Sequence, residues 1–362
     1  MSHEILQNVA VPAAQILLLL NVLLFAVAYL VLLERKIIAF MQVRLGPRRV
    51  GPHGLLQPVA DILKLFIKED IVPTRADRAL FFLAPVLLVV PALVAFAVIP
   101  FSGTAIEVGG FSVRPWVADV NIGLIYVLAV SSLGVYGIVM AGWASNSKYP
   151  LLGSLRSAAQ MISYEVPLAL SVVSVLMLAG TASMVGIVRA QESSGVWYAF
   201  WFPYPQVLGL FVYFVSAVAE TNRHPFDLPE AENELVAGFH TEYSGMKFAL
   251  FFLAEYINMI LVASVVTVLF LGGWLPVTLG IPGLAGALSN MLPFLGDFGA
   301  MLTGVFWFVL KLSSVLYFYL WIRATFPRYR YDQLMQLGWK WLLPAGLVHI
   351  VITAIAILAT GR

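Results

Sequence analysis

Charge-free apolar stretches of about 20 residues recur along the whole chain, each long enough to cross a hydrocarbon core of about 30 Å. No other feature constrains the fold as much. Inside a bilayer every backbone N–H and C=O must find its partner within the protein, and segments of this length do so as helices. Uncharged runs near 14–33, 79–100, 121–143, 159–181, 205–219, 248–272, 303–322 and 341–360 supply eight candidate spans. The 362 residues are 61% hydrophobic and 11% charged, against about 25% charged in a soluble domain. The expectation is an all-α, polytopic membrane protein with about eight transmembrane helices, forming a single membrane domain over 1–362. The fifth span is the weakest, because Pro203 and Pro205 interrupt its uncharged run and leave a short helix. Between Leu271 and Gly299 the glycines and prolines argue against another helix and for an external loop.

Basic residues set the orientation. Loops 34–78, 144–158, 219–247 and 323–340 hold 17 of the 21 Lys and Arg, and the alternate side has only Arg114, Arg189 and Arg362. By the positive-inside rule the four rich loops face the cytoplasm and both termini face outward, the periplasm if the membrane is a bacterial cell inner membrane. The first span is not a signal peptide, since Arg35 and Lys36 follow it and no basic residue precedes it.

Several chemistries are excluded by missing residues. The chain has no cysteine, which removes disulfides, thiolate zinc sites and Cys-ligated iron–sulfur clusters. Of five histidines only His349 lies in a span, so paired-histidine haem ligation is unsupported, and no metal site is expected. Phosphate-binding and dinucleotide glycine motifs are absent. No electron carrier and no nucleic-acid partner is expected of this chain.

Two cytoplasmic loops are elaborated. In the first, Gly54–Lys68 is an amphipathic helix with Leu55, Leu56, Val59, Ile62, Leu63, Phe66 and Ile67 on one face and Gln57, Asp61, Lys64 and Lys68 on the other. It is too short to span. It reads as an interfacial helix on the membrane or as the wall of a ligand entrance. The loop from Ala219 to Lys247 carries Glu220, Asp227, Glu230, Glu232, Glu234 and Glu242 against Arg223 and Lys247, net negative where basic residues should gather. Pro229 can open a short helix there, putting Glu230 and Glu234 on one face. Glu165 and Glu255 fall inside spans, where a carboxylate costs about 2.5–3.5 kcal/mol on insertion scales and marks a functional path by default. Pairing with Lys311 or Arg323 is the structural alternative. From the residues alone, two functions stand: a proton- or cation-coupled secondary transporter, or a membrane subunit of a larger complex offering an amphiphile cavity and a proton path to redox partners.

The segments Glu34-Arg-Lys, Gly46-Pro-Arg-Arg-Val-Gly-Pro-His-Gly-Leu-Leu-Gln-Pro-Val-Ala-Asp61, Ala219-Glu-Thr-Asn-Arg-His-Pro-Phe-Asp-Leu-Pro-Glu-Ala-Glu-Asn-Glu-Leu-Val-Ala-Gly-Phe-His-Thr-Glu-Tyr-Ser-Gly245 and Arg323-Ala-Thr-Phe-Pro-Arg-Tyr-Arg-Tyr-Asp332 carry a resemblance. The chain resembles the H-subunit family of bacterial respiratory complex I, whose mitochondrial counterpart is NADH dehydrogenase subunit 1. Membrane subunits of related hydrogenases share part of the pattern. The resemblance covers the whole chain and implies a membrane component that helps to form the quinone chamber and couples quinone reduction to proton translocation. It implies NADH, FMN and iron–sulfur clusters on partner subunits. The partners it implies are the peripheral-arm iron–sulfur and quinone-site subunits, the other membrane-arm subunits and the lipid bilayer. Carried over, Arg35, Asp61, Lys64, Phe66, Arg223 and Phe226 would line the chamber. Glu165, Glu220, Asp227, Glu230, Glu232, Glu234, Glu242 and Glu255 would form the proton path.

Overall fold

The computed structural model describes residues 6–108, 110–201, 203–227, 236–277, 288 and 291–360. Helix α1 (Val11–Met41) runs through the first apolar stretch after a π turn at Leu6–Ala10. The amphipathic segment forms α2 (Gln57–Ile67), with Pro58 in its first turn, where the missing N–H costs nothing. Asp77 caps α3 (Arg78–Val94), its Oδ1 accepting from the amides of Ala79 and Leu80. A two-stranded hairpin follows, Ile106–Val108 (β1) antiparallel to Phe111–Val113 (β2). Helices α4 (Gly123–Ser132) and α5 (Gly134–Ala144) form one bent span, and α6 (Lys148–Ala179) ends at Gly180, whose φ of 66° suits glycine. Then come α7 (Met184–Ser194), α8 (Val207–Glu220), α9 (Gly245–Phe270), α10 (Gly296–Thr325), α11 (Tyr331–Gln336) and α12 (Leu343–Thr360).

Among the described residues seven helices are long and apolar enough to cross a membrane, and Val207–Glu220 is a shorter apolar helix at the fifth predicted span. All eight expected spans therefore have a helix, the fifth shortened by the prolines ahead of it. Of the stretch from Leu271 to Gly299, positions 278–287 and 289–290 lie outside the described residues, as do Glu230, Glu232, Glu234 and the short helix expected at Pro229.

The bundle is centred on α9, which packs against α1, α3, α8 and α10. In its most apolar stretch 67% of residues are buried, against 22% in α1 at the rim. Lipid-facing helices keep an apolar outer surface, so α9 is the helix whose polar residues have protein on all sides. A second centre joins α3, α5, α6 and α9 around Phe81, Leu88, Ile138, Met161 and Phe251. Into it fold Phe239 and Tyr243 from the loop ahead of α9, Tyr243 stacking on Phe81 with ring centroids 4.0 Å apart. Through these two rings the end of the acidic loop joins the core.

Close approach of α5 and α6 depends on glycine. A Cβ on Gly142 would collide with the Ser154 side chain and the Pro150 carbonyl. Gly142→Ala is expected to destabilise the chain by about 1–3 kcal/mol through overpacking, read as a lower thermal midpoint of the detergent-purified protein, while Ala at the open Gly195 position should act only through its own backbone strain.

Candidate functional site

Four elements bring charge to one place at the charged end of the bundle. Glu34, near the end of α1, is 3% exposed and accepts from three groups: Arg223 Nη1 at 3.3 Å, the Tyr256 hydroxyl of α9 at 2.7 Å, and the Arg323 guanidinium of α10. Arg223 also forms an ion pair with Glu255 of α9, and its guanidinium lies 4.2 Å from the centroid of the Tyr256 ring. A buried carboxylate is tolerable only with such company, because removing one partner leaves an uncompensated charge. Among the described residues neither intramembrane acid has Lys311 or Arg323 as its ion-pair partner. Glu255 pairs with Arg223, not Lys311 or Arg323. Lys311 Nζ donates instead to the carbonyls of Leu271, Gly273 and Leu275, far along α10.

The exit from α8 is held so that Arg223 points inward. Gln160 of α6 donates to the carbonyls of Ala219 (2.8 Å) and Phe226 (2.9 Å), and Asn222 donates to Ser157 Oγ at 2.8 Å. Asn222 has φ 51°, a left-handed conformation that asparagine tolerates better than most residues. Tyr319 of α10 donates to the Ala217 carbonyl and pairs with Thr221 Oγ1 at 2.7 Å. Phe226 is buried between the rings of Tyr164 and Tyr329, and Asp227 pairs with Arg328 at 3.1 Å.

Next to this cluster, at the following position of α1, Arg35 reaches Asp61 of α2 at 2.8 Å, and Asp61 also accepts from Gln57 and lies 3.8 Å from Lys64. The polar face of α2 is thereby fixed to α1. Its apolar face, including Leu63, Phe66 and Ile67, is exposed. This is the disposition of a helix lying on a membrane or against another chain.

The acids continue inward. Glu220, at the end of α8, lines two small adjoining cavities of about 30 Å³ each, both also bordered by Met161, Thr221 and Asn258. Each has room for a water molecule, which needs about 10–15 Å³. The first also touches Glu255 and His240, and the second Tyr213 and Ser131. Glu165 of α6 lies within electrostatic reach of Glu220 and has no ion-pair partner among the described residues. Glu242 is half-buried in the turn ahead of α9. The structure thus brings Glu255, Glu220 and Glu165 together and groups Arg35, Asp61, Lys64 and Arg223 at one end. Sequence reasoning missed Glu34 as the hub, and Tyr256 and Arg323 as its partners; a carboxylate at the inner end of a span was the available signal.

His240 is buried against Phe239, Phe248 and Phe252, and burial pushes its pKa down to about 4. The neutral ring is the seated form. Because the folded pKa lies below the ordinary 6.5, seating is strongest above pH 6.5 and weakens as pH falls towards 4. Amide exchange of residues 238–243, corrected for intrinsic rate, is expected to rise over that window; flat protection from pH 7 to 4 would contradict it. Tyr256→Phe removes one hydrogen bond to a buried carboxylate and is expected to cost about 1.5–3 kcal/mol, measured as a thermal shift of the purified protein.

A sequence model of the NADH dehydrogenase family matches residues 14–354. The chain is 50% identical over 372 residues, covering 99% of both chains, to the second H subunit of the NADH-quinone oxidoreductase of Geobacter metallireducens. It is 52% identical over 340 residues to the H subunit of the NADH-quinone oxidoreductase of Rhodospirillum rubrum, covering 94% of this chain and 92% of that one. It is also 50% identical over 345 residues to the H subunit of Rhodospirillum centenum, covering 95% of this chain and 93% of that one.

Proposed function

The chain belongs to the NADH dehydrogenase family as an H subunit of NADH-quinone oxidoreductase, a membrane component of respiratory complex I, and from that premise we propose that it forms one wall of the quinone chamber and carries protons inward through its buried acids. The full-length likeness to H-subunit relatives favours this reading over a secondary transporter or a hydrogenase component. The carrying observation is that one guanidinium, Arg223, bridges Glu34 at the cluster's hub to Glu255 beside the water-sized cavities.

The chemistry follows from that bridge. Quinone takes up two electrons and two protons on reduction. Negative charge developing on its oxygens near the Arg223 end of the bundle competes with Glu255 for the guanidinium. A carboxylate losing its counter-ion in a water-poor site draws a proton, and the cavity wall shared with Glu220 offers the route by which that proton is exchanged. Clustered acids respond to a neighbour's charge in this way without any redox centre of their own. Arg35, Asp61 and Lys64 hold α2 at the mouth, where Phe66 and the exposed apolar face meet lipid and the isoprenoid tail. Phe226 and Asp227 brace the loop that presents Arg223. Glu230, Glu232, Glu234 and Glu242 extend the acid series along that loop.

On this reading NADH, FMN and the iron–sulfur clusters sit on partner subunits of the peripheral arm, which dock at the end carrying loops 34–78, 144–158, 219–247 and 323–340. Further membrane-arm subunits continue the acid path. On the same reading the Lys and Arg distribution favours the cytoplasm of a bacterium for that end and the periplasm for both termini, with the chain as one domain of the inner membrane.

Glu220→Gln and Glu255→Gln, in the assembled complex, are expected to lower the number of protons translocated per NADH oxidised. Measured in proteoliposomes with a pH-sensitive dye, unchanged ratios for both variants in fully assembled enzyme would reduce these acids to scaffolding.

A further inference from the structure

A polar stripe runs up α8 beyond the acid cluster. Positions 209, 213, 216 and 220 are spaced i, i+4, i+7 and i+11, which places Gly209, Tyr213, Ser216 and Glu220 on one helix face. Glu220 and Tyr213 border the same cavity. Ser216 Oγ, between them, is wholly buried with no hydrogen-bond partner among the described residues. At the far end of the stripe a Cβ on Gly209 would overlap Nε2 of His349 on α12. Eleven residues of helix rise about 16 Å, more than half of a hydrocarbon core of about 30 Å.

His349 is fully buried, and a hydroxyl stands at each of its ring nitrogens: Ser174 Oγ is 2.9 Å from Nε2 and Tyr204 Oη 3.1 Å from Nδ1. Gln206, Thr353 and Ser171 continue the polar surroundings, Gln206 Nε2 reaching Thr353 Oγ1 at 3.3 Å and Ser174 donating to the Ser171 carbonyl at 2.8 Å. His349 is the one imidazole in this group, and its named neighbours carry hydroxyls and an amide rather than carboxylates. Tyr204 is half-buried in the loop ahead of α8, at the end of the bundle opposite the charged loops. With the Ser174 hydrogen on the Ser171 carbonyl, Ser174 Oγ accepts from Nε2–H and Tyr204 donates to Nδ1; turning that hydrogen onto Nε2 gives the other tautomer.

We propose that this face of α8, completed by Ser174, His349 and Tyr204, is a proton relay joining Glu220 to the aqueous surface at the far end of the bundle, within this one chain. The inference rests on Glu220 carrying protons. A proton arriving at Nε2 of the Nδ1-protonated ring gives an imidazolium. Its Nδ1 proton then passes to Tyr204 Oη as the Tyr204 hydroxyl proton leaves to water. One proton enters, one leaves, and the ring is neutral again. It resets when the ring turns about its Cβ–Cγ bond and the Ser174 and Tyr204 hydroxyls turn with it.

The test uses the assembled complex in proteoliposomes, with protons translocated per electron read from NADH oxidation and a pH-sensitive dye. His349→Gln and Tyr204→Phe are expected to lower that ratio. A purely structural role for the group reduces assembled enzyme, turnover and pumping in proportion and leaves the ratio at wild type; that result for His349→Gln overturns the relay. Should His349→Gln fail to assemble, Tyr204→Phe, which keeps its ring, decides, and a wild-type ratio there overturns it equally. Glu220→Gln run alongside separates the two readings. A lowered ratio in Glu220→Gln alone leaves the acid path standing without this exit, whereas wild-type ratios in all three variants remove both.

Discussion

A carboxylate buried at the boundary of a membrane has to be neutralised, and the way Glu34 achieves this organises the charged end of the molecule. It draws Arg223 from the loop after α8, Arg323 from α10 and Tyr256 from α9 onto the end of α1. Glu34 and Arg223 are both nearly closed to solvent, so the elements that carry them are tied together by desolvation as much as by attraction. Arg223 in turn holds Glu255, which makes the hub and the inward acids one electrostatic unit. A change of charge at one end is felt at the other without any large movement. The neighbouring Arg35–Asp61 pair uses the next residue of α1 to fix the amphipathic helix, so the surface helix and the buried cluster share one strut.

The loop after α8 has two characters. Its first half is pinned by side chains of α6 and α10 through Gln160, Asn222 and Tyr319, and near its end Phe239 and Tyr243 are buried among α3, α5 and α9.

Much of the architecture was legible from apolar periodicity, because a bilayer permits few alternatives to helices for runs of this length. The amphipathic α2 was legible for the same reason: its alternation of faces has a period of 3.6 and its proline falls in the first turn. Lys311 was not legible. A lysine inside a span suggests an acidic partner, yet the amine is satisfied by three backbone carbonyls, an option that depends on how the chain after α9 turns. Phe239 and Tyr243 were equally opaque, since aromatic residues in a polar loop look the same whether they fold back or not. The inward acids Glu165 and Glu255 stood out by cost alone, but their different fates, one paired with Arg223 and one without an ion-pair partner among the described residues, follow from which helix faces meet.

The sequence by itself determined that this chain is a bundle of membrane helices with its elaborated loops at one end, because hydropathy and charge distribution act locally and leave little freedom. Its motifs also determined the family. Only the tertiary structure decided which charges meet. Glu34 and Arg223 are separated by 189 residues and Glu34 and Tyr256 by 222, and Ser174 meets His349 across 175. Contacts over such separations depend on helix order and rotation in the packed bundle, and no local pattern of residues encodes them.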